Sequence, residues 1–228
     1  MSRVSQETEP RTTSAAIEDY AKAIYALEAR TGRPVPTNAI ADRLGVTAGS
    51  ASAMLKKLAQ LGLVSHNPYH GAKLTEAGER VALEIIRHHR LLELFLVREL
   101  GMSWDRVHAE AEVLEHVISE ELESLIAAKL GQPHLDPHGD PIPSPELEIE
   151  ERATAALDSL DAGALGRFVR VSDADPAMLR YLSERGVAPG DRFEVVERQP
   201  FGGPLFVRFG DEVHVFGGEL ASSMRVEV

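Results

Sequence analysis

The stretch HAEAEVLEH, residues 108–116, places two histidines and three glutamates in nine positions, a dense run of nitrogen and oxygen donors for a divalent cation. A helix advances about 100° per residue, so His108, Glu112, Glu115 and His116 share one sector while Glu110 points away. Val107, Ala111, Leu114 and Ile118 form an adjacent apolar stripe that would bury the helix beside this donor face. A solvated charged face next to a core seam explains the same pattern, because glutamate is a good helix former and is usually exposed. Further donors elsewhere in the chain, able to meet the face, would favour a metal site. The chain has 0 cysteines, so disulfides and thiolate-bound metals are excluded and any ion must be held by oxygen and nitrogen.

The elements that position these donors belong to a chain of 228 residues, 43% hydrophobic, enough for one large domain or a few small ones with real cores. The first 13 residues are polar and lack the apolar stretch of a signal peptide, and no apolar run approaches a membrane span, so a cytoplasmic protein with a flexible tail over residues 1–13 is expected. The net charge of −12 is uneven. Residues 1–80 carry 10 Lys+Arg against 8 Asp+Glu, a balance of +2, leaving 14 against 28, or −14, for residues 81–228. Only the N-terminal third can approach phosphate without strong repulsion.

That third has a readable order. Ile17, Ala21, Ile24 and Leu27 recur at helical spacing within residues 14–30. After the break at Pro34 to Thr37, Thr37 or Asn38 can cap a short helix ending at Gly45, and Thr47 can cap a second ending at Gly62. LVSHNPYHGAKLTEAG then reads as two short strands around an Asn/Pro/Gly turn. Helix, tight turn, helix and hairpin is the order of a winged helix-turn-helix, here residues 14–80, whose second helix enters the DNA major groove. Scaffold is the competing reading. The start of that helix, Thr47, Ala48, Gly49, Ser50, Ala51 and Ser52, is read as exposed and offers hydroxyls and methyls but no side chain for bidentate base contacts. Specificity is therefore expected to come mostly from groove shape. Lys56, Lys57 and Lys73 are candidates for phosphate contacts, or equally solvated surface lysines.

Residues 81–131 read as two long helices, the second spanning SWDRVHAEAEVLEHVISEELESLIAAKL, with apolar faces large enough to require a partner; a symmetric homodimer would present two recognition helices to a palindrome. Residues 132–162, rich in proline, read as a semi-rigid linker. From residue 163 to 228, FVRVSD, RFEVVER, PLFVRFG, EVHVFG and MRVEV suggest a small β-barrel, with a short helix starting at Asp175 and Pro176. The fold class is mainly α with a small β domain.

EDYAKAIYALE at the start, HRLLE at 89–93, VHAEAEVLEH at 107–116, DPHGDPIP at 136–143 and VSDADPAMLRYL at 171–182 together resemble the diphtheria toxin repressor family, in its three-domain form. The resemblance covers residues 14–228 and implies a winged helix, a helical metal-binding and dimerisation domain, and a C-terminal barrel like Src-homology-3 domains (FeoA-like). It also implies a primary metal site at Asp19, Glu112, Glu115 and His116. The positions of Asp19 and Glu112 are typically methionine and cysteine in the iron branch, whereas carboxylates match the manganese branch. That branch has a further glutamate where this chain has Lys22, and His89 is the next candidate. An ancillary site is implied at His89, Glu93 and His108, with Asp173 from the barrel; Asp175 is as readily a helix cap as a ligand.

Carboxylates and imidazoles make a hard anionic site for Mn2+, Fe2+ or Zn2+. The resemblance thus implies a repressor activated by Mn2+, with Fe2+ the alternative and Zn2+ or Co2+ as substitutes in vitro. It would bind palindromic operator DNA as a homodimer, control metal uptake, and engage no membrane. A metal-dependent hydrolase is the rival class, but the chain has no HExxH, nucleophile motif or glycine-rich phosphate loop, so no enzyme is expected.

Overall fold

The computed structural model describes residues 13–67 and 71–228, in two compact units that meet in sequence at residue 85. The expected N-terminal tail and the tip of the hairpin lie outside the described residues, apart from Thr13.

In the first unit, α1 (Ala15–Thr31) buries Ile17, Tyr20, Ala21 and Ile24 and stops at Gly32, whose φ of 63° is the left-handed conformation glycine adopts without cost. The second helix, α2 (Thr37–Leu44), begins at Thr37 itself, so neither Thr37 nor Asn38 caps it as expected. Pro36 holds the N-cap position with its extended φ of −62° and ψ of 142°, and Thr37 is already helical. After Gly45, α3 (Ala48–Gln60) is capped as expected by Thr47, whose hydroxyl accepts from the Ser50 amide at 3.1 Å. Ala51, Leu55 and Leu58 of α3 are fully buried against Ile24 and Ile40, which fixes the angle between the helices. The wing is the antiparallel pair β1 (Val64–Asn67) and β2 (Gly71–Leu74), in register Val64 to Leu74. Gly71 is required there, because its φ is 89° and a Cβ would lie 2.7 Å from the Val35 carbonyl oxygen. The Thr75 hydroxyl accepts from the Gly78 amide and so caps α4 (Glu76–Leu100), which continues past residue 85 into the second unit.

The single long helix expected over residues 103–130 is in fact two: α5 (Val107–Leu114) and α6 (Glu120–Lys129). Ser119 causes the break, accepting from the Leu122 amide at 3.2 Å, with Glu120, Glu121 and Glu123 in the first turn of α6 where the helix dipole favours anions. Leu91, Leu92 and Leu94 of α4 pack with Ala111, Ile118, Ile126 and Ala127.

The proline-rich segment does not behave as a linker over its first half. Ile142 joins this helical core, and Asp136, His138, Gly139 and Pro143 are buried. Its turn is held by Asp136 Oδ1, which accepts from the amides of His138 and Asp140 at 2.8 and 2.9 Å. Gly139, at φ 88°, lies so close to Val169 that a Cβ would sit 1.9 Å from its carbonyl oxygen.

All the expected C-terminal strands form: β4 (Leu165–Val171), β5 (Arg192–Arg198), β6 (Leu205–Phe209), β7 (Glu212–Phe216) and β8 (Met224–Glu227). Unanticipated are a two-residue strand, β3 (Ala155–Ala156), and the short helix α8 (Gly218–Ser223); α7 is Pro176–Ser183. The antiparallel ladder runs β3-β8-β4-β5-β6-β7. Bulges after Phe168 and Val195 bend it, as bulges do, around one core containing Phe168, Phe193, Val207, Phe216 and Met224.

Candidate metal centre and nucleic-acid interface

Four of the expected donors converge in the second unit. His89 and Glu93 sit one turn apart on α4 and project together, His108 lies in the first turn of α5, and Asp173 follows β4. Glu93 Oε1 is 3.0 Å from His89 Nε2 and 3.3 Å from His108 Nδ1, and His108 Nδ1 is 3.0 Å from Asp173 Oδ2. One ligand atom from each residue falls within a 4.8 Å cluster. Asp175 is not part of it; its carboxylate accepts from the Ala177 amide at 2.8 Å and caps α7.

The electrostatics are those of a place that requires positive charge. Hydrogen bonds to Asp173 and Glu93 raise His108 to about 10. Burial would raise the Glu93 carboxyl, yet hydrogen bonds from His108, His138 and His89 hold it well below its ordinary value. Asp173 is likewise lowered, burial being outweighed by the His108 contact. His108 thus carries charge that a bound cation would supply.

His89 joins this group to a second one. While its Nε2 faces Glu93, its Nδ1 is hydrogen-bonded to the fully buried Glu115, the kind of contact that fixes the orientation of a ligating ring. His89, Glu112 and Glu115 offer another set of atoms within 4.8 Å of one another. Although α5 ends at Leu114, Glu115 keeps helical angles, φ −58° and ψ −28°, so the sector holding Glu112 and Glu115 survives, while His116 enters the following turn. His116 Nε2 is 3.7 Å from Glu115 Oε1, and Glu112 Oε1 is 3.7 Å from His108 Nε2. Asp19, the remaining expected ligand, is half-buried on α1 of the first unit between the buried Glu18 and Tyr20, with Lys22 one turn on.

Two buried donors escaped the sequence reading. Asp136 and His138 approach Glu93 from the proline-rich turn. They lie within DPHGDPIP, whose closely spaced aspartate and histidine were a usable signal, but a segment read as a linker gives no reason to expect burial. A structural anchor was also missed: Arg87 and His88 both pair with Glu123, tying α4 to α6.

On the DNA-binding side, Thr47, Ala48, Gly49 and Ser50 are exposed at the start of α3, and Ser52 is half-buried. Ala51, expected to be exposed, is fully buried, and the helical turn presents Ala53 instead. The Thr47 hydroxyl is already used as the cap and also meets the Ser50 hydroxyl at 2.9 Å. Lys56 and Lys57 are exposed; Lys73 on the wing is 3.4 Å from Glu28, which draws it toward a partner within the unit.

Three family models tile the chain. Residues 12–72 match the "Iron dependent repressor, N-terminal DNA binding domain", residues 75–144 the "Iron dependent repressor, metal binding and dimerisation domain", and residues 155–228 the "FeoA domain". The iron-dependent repressor IdeR of Mycobacterium tuberculosis is 32% identical over 92% of this chain and 96% of its own. The diphtheria toxin repressor of Corynebacterium glutamicum is 28% identical over 92% and 95%. Among solved structures, a manganese-dependent transcriptional repressor in complex with manganese superimposes with a TM-score of 0.85 at 41% identity, over 92% of this chain and 98% of that one. The structure of the manganese regulator SloR gives 0.74 at 31%, over 92% and 97%. The chain belongs to the iron-dependent, or diphtheria toxin, repressor family: it is a metal-dependent DNA-binding transcriptional repressor, not an enzyme.

Proposed function

We propose that this repressor is activated by Mn2+ and, as a homodimer on palindromic operator DNA in the cytoplasm, controls genes for metal uptake. In this reading Asp19, Glu112, Glu115 and His116 hold a primary ion, and His89, Glu93, His108 and Asp173 hold an ancillary one. The observation that carries the choice of metal is the donor chemistry: every one of these eight side chains offers oxygen or nitrogen, with no thiolate or thioether. Such a set suits Mn2+, which forms the weakest complexes of the common divalent series and relies on hard, anionic ligands and on availability. The bound ion would supply the positive charge that lets these carboxylates lie together. Asp19 would then couple the DNA-binding unit to the metal-binding unit. Thr47, Ala48, Gly49, Ser50 and Ser52 would approach the major groove, with Lys56, Lys57 and Lys73 toward phosphate.

Fe2+ is the second reading, favoured by the iron-dependent relatives at 32% identity. Operator binding titrated with Mn2+, Fe2+, Zn2+ and Co2+ at buffered free concentrations decides between them. Mn2+ should activate at a free concentration available in cells; activation only by Fe2+ at its cellular concentration would assign the protein to iron.

A further inference from the structure

The two segments that carry His108 and Asp173 are tied together a second time, by an ion pair outside the donor cluster. Arg180 Nη1 donates to Asp105 Oδ2 at 3.2 Å, while His108 Nδ1 stands 3.0 Å from Asp173 Oδ2. On the barrel side, Asp173 and Arg180 flank the Asp175 cap of α7. That helix is fixed to the barrel by the buried Leu179 and Leu182, and by the Tyr181 hydroxyl, which donates to the Val215 carbonyl at 3.1 Å. On the helical side, Asp105 and His108 belong to one tight stretch: the Arg106 amide donates to the Ser103 carbonyl at 2.9 Å, and Val107 is fully buried. Whatever sets the distance from Asp105 to Arg180 therefore also sets the distance from His108 to Asp173.

The two ties differ in chemistry. Without metal, the contact of His108 with Asp173 needs a proton on the ring. The Arg180 guanidinium keeps its charge throughout. Burial would raise the Asp105 carboxyl, but hydrogen bonds from Ser103 and Arg180 hold it below its ordinary value. The Asp105 side chain is 10% exposed and that of Arg180 55%, so a fixed carboxylate receives an arginine reaching in from the surface. Trp104, next to Asp105, packs against the barrel core. Apolar contact is non-directional and leaves alignment open; a hydrogen-bonded ion pair at its edge fixes it.

We infer that Asp105 and Arg180 are positioning residues of the ancillary site. Their ion pair holds the barrel against the start of α5 with or without metal, so that Asp173 already stands beside His108 when the ion arrives. A ligand ordered beforehand spares the ion the cost of ordering it. This role rests on the ancillary-site reading.

Mn2+ titrations of the full chain, followed by the electron paramagnetic resonance signal of the free ion, test it. The binding phase that His108→Ala removes is the ancillary ion. Arg180→Gln, at a half-exposed position, should weaken that phase roughly two- to fivefold, the scale of a partly exposed ion pair, and leave the other phase unchanged. Arg180→Lys, which keeps the cation, should retain most of the affinity. In a His108→Ala background Arg180→Gln should alter Mn2+ binding no further, because the ion it serves is gone. An ancillary phase unchanged in Arg180→Gln overturns the positioning role, as does an equal loss at both phases or an equal loss in Arg180→Lys. If His108→Ala removes no phase, the ancillary reading itself falls, and the positioning role with it.

Discussion

Without metal, His108 holds a proton where the proposed ancillary ion would sit, and His138 holds one on the other side of Glu93. His108 is raised from 6.5 to about 10 by Asp173 and Glu93; His138 is raised to about 9, where burial pushes down but Glu93 and Asp136 prevail. A histidine raised by folding stabilises fully below its unfolded value and loses that contribution as pH climbs through the folded one. Asp136, raised to about 8 by burial with Asp140 and Glu93 adding to it, acts with the same sign, its buried carboxyl becoming increasingly unfavourable as pH rises toward 8. The melting temperature of the chelated chain should therefore fall between pH 6.5 and 9, on the order of 5 °C. With saturating Mn2+ the slope should flatten or reverse, since the cation competes with protons for the same atoms. A chelated chain whose melting temperature rises over that range would contradict this account of the cluster. The choice of metal is tested at Asp19 and Glu112. The double variant Asp19→Met, Glu112→Cys replaces two hard anionic donors by soft ones, so Mn2+ activation of operator binding should weaken at least tenfold while some Fe2+ or Co2+ activation persists. Activation by Mn2+ at the parent's free concentration would remove these residues from the selecting site.

At the scale of elements, the caps set where donors can stand. Ser119 ends the run after α5 by capping α6, and Ser119→Ala should cost about 1 kcal/mol, read as a fall of about 2–4 °C in melting temperature. A larger loss of metal affinity than of stability would show that the turn carrying His116 depends on this cap. Much was legible from periodicity and caps: Thr47 and Asp175 cap α3 and α7, and Ile17, Ala21 and Ile24 face inward on α1. The break over residues 115–119 was not, because Glu120 to Lys129 continues the same helical propensities beyond it, and the Ser119 cap on the Leu122 amide is a contact that spacing does not reveal. The burial of His138 and Asp136 was hidden for another reason. Prolines at 133, 137, 141 and 143 look like linker composition, whereas here they shape a turn whose packing comes from partners distant in sequence, such as Trp104 and Val169. Sites built from one helix could be read by spacing; sites built by tertiary contact required the family resemblance or the fold.

For the molecule as a whole, the second unit leaves Val113, Val117, Leu122 and Leu125 between 49% and 75% exposed on α5, the following turn and α6. The matching family domain is described as one of metal binding and dimerisation, and an exposed apolar strip of this kind fits such an interface. Val117→Glu should shift the chain toward monomer in sedimentation and weaken operator binding at least tenfold, while leaving Mn2+ stoichiometry intact; a variant that remains fully dimeric would place the interface elsewhere. The central claim is that metal occupancy controls DNA binding, and its most direct test is operator affinity of the full chain in chelator against saturating Mn2+, at one fixed salt concentration because phosphate contacts are salt-dependent. A coupling of about 1–3 kcal/mol per occupied subunit predicts at least tenfold tighter binding with Mn2+. Equal affinity in chelator and in Mn2+ would contradict it.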